Sequence, residues 1–249
     1  RGTKASPQAA AETDFKKQAL KLHDLALRHF VANLRGKKGE IARKYVENRK
    51  ISSEMVQAFE LGYSLDEWQA LADYLQAGSG LKVELAVKAG LLSASEKAGR
   101  VYDRFRARLM FPIKNLSGRV IAFGGRIIEN ASQDGKEQAK YINSSDSPIY
   151  KKGEHLYGLY QARKTITQQK VAILTEGYLD VISLHQFGFT NACGVLGTAL
   201  TKEQVKRLAG FCSNIELIFD GDNPGRKAAL RSSEMILGAG LDCTVVILP

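Results

Sequence analysis

Val171-Ala172-Ile173-Leu174-Thr175-Glu176-Gly177 and Ile215-Glu216-Leu217-Ile218-Phe219-Asp220-Gly221-Asp222 decide the fold class of this chain. Each is a short apolar run that ends in a carboxylate beside a glycine. Runs of this length read as buried strands, and the stretches around them read as helices. Tyr178 to Phe187 is closed by Gly188, Lys202 to Phe211 is opened by Thr201, and a third helix runs from Pro224 to about Leu237. Ala192 to Leu196 and Asp242 to Leu248 supply two further strands. This alternation predicts parallel pairing with right-handed crossovers. The C-terminal edge of such a sheet is where ligands and metals collect. Glu176, Asp220 and Asp222 at that edge are hard oxygen donors of the kind Mg²⁺ takes when it shares its ligands with substrate phosphates; the plainer reading is a pair of acidic turns. Asp180, one helical turn after Glu176, either orients a backbone group or a metal-bound water, or caps its helix.

The rest of the chain is basic. Thirty-six Lys and Arg against 26 Asp and Glu leave +10, an excess that favours polyanions through phosphate contacts. Arg104, Arg106 and Arg108 alternate, so an extended backbone would put all three on one face as forked phosphate donors, or as a charged strand edge. Arg126 follows Gly124-Gly125, where a phosphate can approach the backbone. Lys140 and Lys152 flank a Ser/Asn-rich segment, and Arg226-Lys227 follow the Asp220/Asp222 pair, either near the acidic edge or facing water. Tyr141, Tyr150, Tyr157 and Tyr160 are candidates for base stacking, although Leu156 to Tyr160 reads better as core. Four histidines share no spacing. Cys193, Cys212 and Cys243 form no CxxC pair, which argues against zinc and for reduced thiols in a cytoplasmic protein. No apolar run approaches bilayer length, and the N-terminus has no signal-like apolar stretch.

Upstream, residues 1–14 read as a disordered lead-in. Helices are expected over Phe15 to Leu34, Ile41 to Asn48, from Ser52 or Ser53 to Phe59, Leu65 to Leu75 and Leu81 to Ala89. Leu109 to Ile113 and Val120 to Phe123 form a hairpin around Asn115-Leu116-Ser117-Gly118, and Glu129 to Gln138 reads as a polar loop. The class is α/β: an α+β N-terminal part over residues 15–168, then a Rossmann-like, mostly parallel part over 169–249.

Several motifs together resemble the bacterial DNA primase family of the DnaG type. They are Tyr102-Asp103-Arg104-Phe105-Arg106, Met110-Phe111-Pro112-Ile113, Gly118 to Arg126, Lys140-Tyr141-Ile142-Asn143-Ser144, Lys152-Gly153, Leu156 to Tyr160, Glu176-Gly177-Tyr178-Leu179-Asp180 and Asp220 to Arg226. The resemblance implies a TOPRIM subdomain over 169–249 and an RNA polymerase that makes short primers on single-stranded DNA from ribonucleoside triphosphates. It implies Mg²⁺ or Mn²⁺ on Asp220 and Asp222, with Glu176 a ligand or general acid/base and Asp180 in support. It places Arg49, Arg104, Arg106, Arg126, Lys140 and Lys152 along the template and nucleotide. The family's zinc module, its third acidic cluster and its helicase-binding domain have no counterpart here, so a catalytic-core fragment, of doubtful activity alone, is expected. Rival readings are another TOPRIM enzyme (a nuclease or topoisomerase) and a non-catalytic module binding single-stranded DNA.

Overall fold

The structure, a computed structural model, describes residues 6–80, 82–95, 100–128 and 139–248. The expected loop at Glu129 to Gln138 lies outside the described residues. The helices are α1 (Pro7–Arg35), α2 (Glu40–Asn48), α3 (Ser53–Ala58), α4 (Ala70–Ser79), α5 (Val83–Lys88), α6 (Leu159–Gln169), α7 (Tyr178–Gln186), α8 (Lys202–Ala209) and α9 (Asn223–Gly238). The strands are β1 (Gly62–Ser64), β2 (Leu92–Ala94), β3 (Val101–Asp103), β4 (Arg108–Lys114), β5 (Val120–Ile127), β6 (Tyr141–Asn143), β7 (Val171–Thr175), β8 (Ala192–Gly194), β9 (Asn214–Phe219) and β10 (Asp242–Ile247). None of these helices is long and apolar enough to cross a membrane.

The chain divides into two compact units. One takes the chain up to Lys50 with Glu60–Pro112 and Arg119–Lys151; the other takes Ile51–Phe59, Ile113–Gly118 and Lys152–Pro249. α6 therefore belongs with the parallel sheet, upstream of the expected division at 168/169.

In the first unit α1 begins earlier than expected. Ser6 accepts from the Ala9 N–H and Pro7 occupies the first turn, where its missing N–H costs nothing, so residues 6–14 are cap and helix rather than disordered lead-in. Their polarity reflects a solvent-facing helix end. Further along, Phe15, Ala19, Leu22, Ala26 and Phe30 form one buried stripe at helical spacing. Leu22, Ala26 and Phe30 pack on a sheet of order β1-β4-β5-β6, with Phe30 meeting Phe123 edge-on at 5.2 Å, while Phe15 and Ala19 pack with Ala89. A Cβ on Gly62 would lie 2.5 Å from that of Phe30, so only glycine lets β1 approach α1. β2 and β3 pair as a separate antiparallel ribbon.

The helix expected from Leu65 starts instead at Ala70. Asp103 explains why: its buried carboxylate accepts from Leu71 N at 2.7 Å and Ala72 N at 3.0 Å, capping α4 from 32 and 31 residues away in sequence. Burial pushes this carboxyl up to about 6, against the pull of the two N–H donors. His23, fully buried on α1, stacks on Phe123 at 5.9 Å and donates from Nδ1 to Ala19 O. Burial pulls it down to about 4.

The second unit is the expected alternating structure. Its sheet has order β10-β9-β7-β8, with every strand pair parallel. Leu174 of the central β7 faces Leu217 on β9 and Cys193 on β8, and all three are buried beneath Ala162, Ile166 and Ile236 of the covering helices. α8 opens with a reciprocal cap between Thr201 and Gln204.

Two tests follow. Asp103→Ala orphans two helix N–H groups and should lower stability by about 1–2 kcal/mol in urea denaturation. His23 binds its proton less readily folded than unfolded, so the stability it confers is complete above its ordinary value of 6.5 and is lost as pH falls towards about 4. His23→Leu should therefore gain on the parent chain as pH drops from neutrality to 4, by up to about 3 kcal/mol. A gap independent of pH would refute the buried neutral imidazole.

Candidate active site and basic surface

The acidic edge is built by strand register. β7 and β9 pair with Leu174 opposite Leu217; carried on, that register sets Glu176 level with Phe219, one residue before Asp220. Both chains then turn into helices. Asp222 is the N-cap of α9, its Oδ1 accepting from Gly225 N at 2.7 Å. Two glycines make the turn possible: a Cβ on Gly221 would stand 2.3 Å from Leu248 O, and one on Gly225 would stand 2.3 Å from Asp220 O. Asp180, in the first turn of α7, lies against Gly177 and accepts its N–H, so the capping role is real.

Electrostatics join these side chains. Loss of solvent and then the charges of Asp220, Asp222 and Asp180 push the Glu176 carboxyl up. Loss of solvent and Asp220 raise Asp180, partly offset by the Gly177 hydrogen bond. Four carboxylates at one sheet edge, two of them with raised proton affinity, are chemically the donor set a hard divalent cation takes. They are not a finished cage: among the described residues no three His, Cys, Asp or Glu side chains are grouped closely enough to hold a metal. The expected convergence of Glu176, Asp220 and Asp222 is thus only a shared edge. Asp222 gives one oxygen to its cap. Glu176, Asp180 and Asp220 also line a cavity of about 390 Å³ whose rim carries the exposed rings of Phe187 and Phe189.

The basic residues of the first unit gather around β6. Arg104 donates through Nε and Nη2 to Asn143 O at 3.2 and 2.9 Å. Arg126, almost wholly buried, donates to the Tyr141 hydroxyl at 2.9 Å and lies between the Tyr45 and Tyr141 rings, 5.3 and 5.2 Å from their centres. Its Nε has no hydrogen-bond partner among the described residues. Arg49 takes another side of Tyr45, 5.4 Å from the ring centre. Lys140, directly before β6, is exposed. Arg106 stacks 3.6 Å over Trp68.

The three alternating arginines do not share a face. Ala107 adopts φ +52°, which breaks the extended run and turns Arg108 inwards. There Arg108 donates to the carbonyls of Gly125 and Ala139 at 3.2 and 3.0 Å, and burial pulls its pKa down to about 10. Gly125 is needed because a Cβ would press on the Phe105 ring and the Arg108 stem. Lys152 belongs to the other unit, in a short turn held by Gln204, whose Nε2 donates to the Lys152 and His155 carbonyls. Tyr157 is a core residue, as the packing reading of Leu156 to Tyr160 expected, whereas Tyr150, a candidate for base stacking, is buried as well. Sequence reasoning assigned no role to Tyr45 or Trp68. An aromatic three or four residues from a singled-out arginine, as Tyr45 is from Arg49, was the available signal.

A parallel sheet with Glu-Gly after one strand and Asp-Gly-Asp after its neighbour defines a Toprim-like domain, and residues 173–249 match that family model. Residues 29–163 match the model of the DNA primase catalytic core, N-terminal domain. The chain belongs to the DnaG-type DNA primase family. It is 39% identical over 231 residues to the DNA primase of Pseudomonas aeruginosa, covering 93% of this chain and 32% of that protein. The chain thus spans about a third of the length of the curated relatives it matches. A crystal structure of a DNA primase domain from Pseudomonas aeruginosa superposes with TM-score 0.85 at 37% identity, over 93% of this chain and 71% of that one. A DnaG primase catalytic domain bound to single-stranded DNA does so with TM-score 0.82 at 32% identity, over 95% and 75%.

Gly225→Ala tests the turn directly. The new methyl meets the Asp220 backbone, so the α9 N-terminus must move, and thermal unfolding should show a loss of more than about 2 kcal/mol. Gly188→Ala, with open space around its Cβ but a left-handed φ of 92°, should cost only about 1 kcal/mol.

Proposed function

We propose that this chain is part of the catalytic core of a primase, which joins ribonucleoside triphosphates into short RNA primers on a single-stranded DNA template during replication in the cytoplasm. One observation carries the reading: Glu176 and Asp220 stand at adjacent strand ends, and loss of solvent together with the negative charges around Glu176 raises its proton affinity. Such a cluster is stabilised by a cation.

Asp220, Asp222 and Glu176 would hold Mg²⁺ or Mn²⁺, with Asp180 behind them. Bound there, such a cation would supply charge neutralisation for phosphoryl transfer. The chain's own residues supply the rest. A Glu176 carboxylate of raised basicity can take the proton of the 3′-hydroxyl on an Oε. Arg126 offers its unpaired Nε to a phosphate oxygen, and the two tyrosine rings hold its guanidinium plane in place. Arg104 is anchored by Nε and Nη2, which leaves Nη1 for the template. Arg49, Arg106, Lys140 and Lys152 add charge for template or nucleotide. Any meeting with the replicative helicase rests on the family resemblance.

The metal reading is tested by Mn²⁺ titration followed by electron paramagnetic resonance. The parent chain should bind, and Asp220→Asn or Glu176→Gln should lose at least about tenfold in affinity. Undiminished binding in both variants would remove the proposed site. For the template, Arg126→Ala should weaken binding to a single-stranded oligonucleotide and reduce the salt slope by about 1.

A further inference from the structure

Tyr45 lies on α2, and Arg49, the C-cap residue of that helix, follows one turn later on the same side, its guanidinium 5.4 Å from the ring centre. Arg126 reaches the same ring from β5, at 5.3 Å. Strand pairing sets Arg126: it stands directly opposite Tyr141 on β6, so the two side chains share a face, and it donates to the Tyr141 hydroxyl at 2.9 Å. Helix and sheet thus contribute one arginine each to a single tyrosine. Arg126 is buried, Tyr45 half-buried and Arg49 exposed, so the ring joins a fixed cation to one at the surface.

Two like charges on one ring need a cause. Guanidinium groups repel, and on an open surface they draw apart. The negative face of an aromatic ring attracts each of them and holds them near one another. Both charges also act on the phenol, favouring its ionised form against the loss of solvent that disfavours it. Two cations held this way are completed by an anion that meets both, and phosphate matches their forked donors. We infer that Tyr45 is a positioning residue, whose ring couples Arg49 to Arg126 so that the two arginines bind phosphate as one unit. It need not touch the phosphate itself. The inference rests on the reading of Arg126 as a phosphate contact and adds the residue through which that contact depends on Arg49. Template strand and nucleotide both carry phosphate, and the chemistry is the same for either. The rival role for Tyr45 is packing of α2 alone.

Binding of a single-stranded oligonucleotide at several salt concentrations, run beside an ATP titration, tests it. Tyr45→Leu keeps apolar bulk and removes no charge. It should nevertheless weaken phosphate binding about fivefold to tenfold and lower the salt slope by about 1, as though a cation had been deleted. Tyr45→Phe keeps the ring and should restore both. In an Arg126→Ala background, Tyr45→Leu should cost less than about twofold more. An unchanged salt slope, or an undiminished loss in the Arg126→Ala background, is what helix packing alone gives and overturns the inference. If Tyr45→Leu fails to fold, Arg49→Ala, Arg126→Ala and their double variant decide. Coupled arginines give a combined loss well short of the two single losses multiplied; the full product overturns the coupling and leaves Arg126 as a phosphate contact. The ligand whose affinity falls in Tyr45→Leu, oligonucleotide or ATP, identifies the source of the phosphate. A parent chain that binds neither overturns the functional reading as well.

Discussion

The parallel pairing of β7 with β9 is the constraint on which the acidic site depends. Parallel strands in register end at the same level, so whatever follows them in sequence is delivered to one edge. Here that is Glu176 from one strand and Asp220-Gly221-Asp222 from the other. The carboxylates repel, and nothing in their own chemistry would collect them. Strand hydrogen bonds and the buried Leu174–Leu217 pair hold them near one another. The glycines then decide how closely the backbone turns beneath them, because a single Cβ at Gly221 or Gly225 would collide with a carbonyl.

The second unit was legible in the sequence because its signals are local. Apolar runs, the Thr201 cap with Gln204 three residues on, and Gly188 after α7 are all decided within a few residues. The first unit was less so, because its decisive contacts are long-range. Asp103 caps α4 across the fold, which moved the helix start from Leu65 to Ala70. Ala107 takes a left-handed φ with no sequence mark, which turned Arg108 from a surface fork into a buried brace. At the sites, residue types were readable and geometry was not. Pattern and resemblance brought out the carboxylates and Arg126; the two tyrosines that flank Arg126 needed three dimensions.

Net charge overstates what is available to a polyanion. Arg108 is taken up by backbone carbonyls, and Arg104 gives two of its donor groups to Asn143. These bonds hold β6 in place and orient the neighbouring cations. Arg126, stacked between rings with one donor unmet, belongs to both groups. A buried, preorganised arginine loses less entropy on meeting a phosphate than a mobile lysine does.

His23 and Asp103 lie in the same unit with displacements of similar size and opposite sense, from 6.5 to about 4 and from 3.8 to about 6. Unfolding in weak acid would let the imidazole take up a proton while the carboxyl releases one. The two exchanges nearly balance, so this pair adds little net proton traffic to unfolding between pH 4 and 6, although each partner alone would make the unit a sensor of acidity. A core that holds one acid and one base, both neutral at the midpoint of that range, is in this sense buffered against its own buried charges.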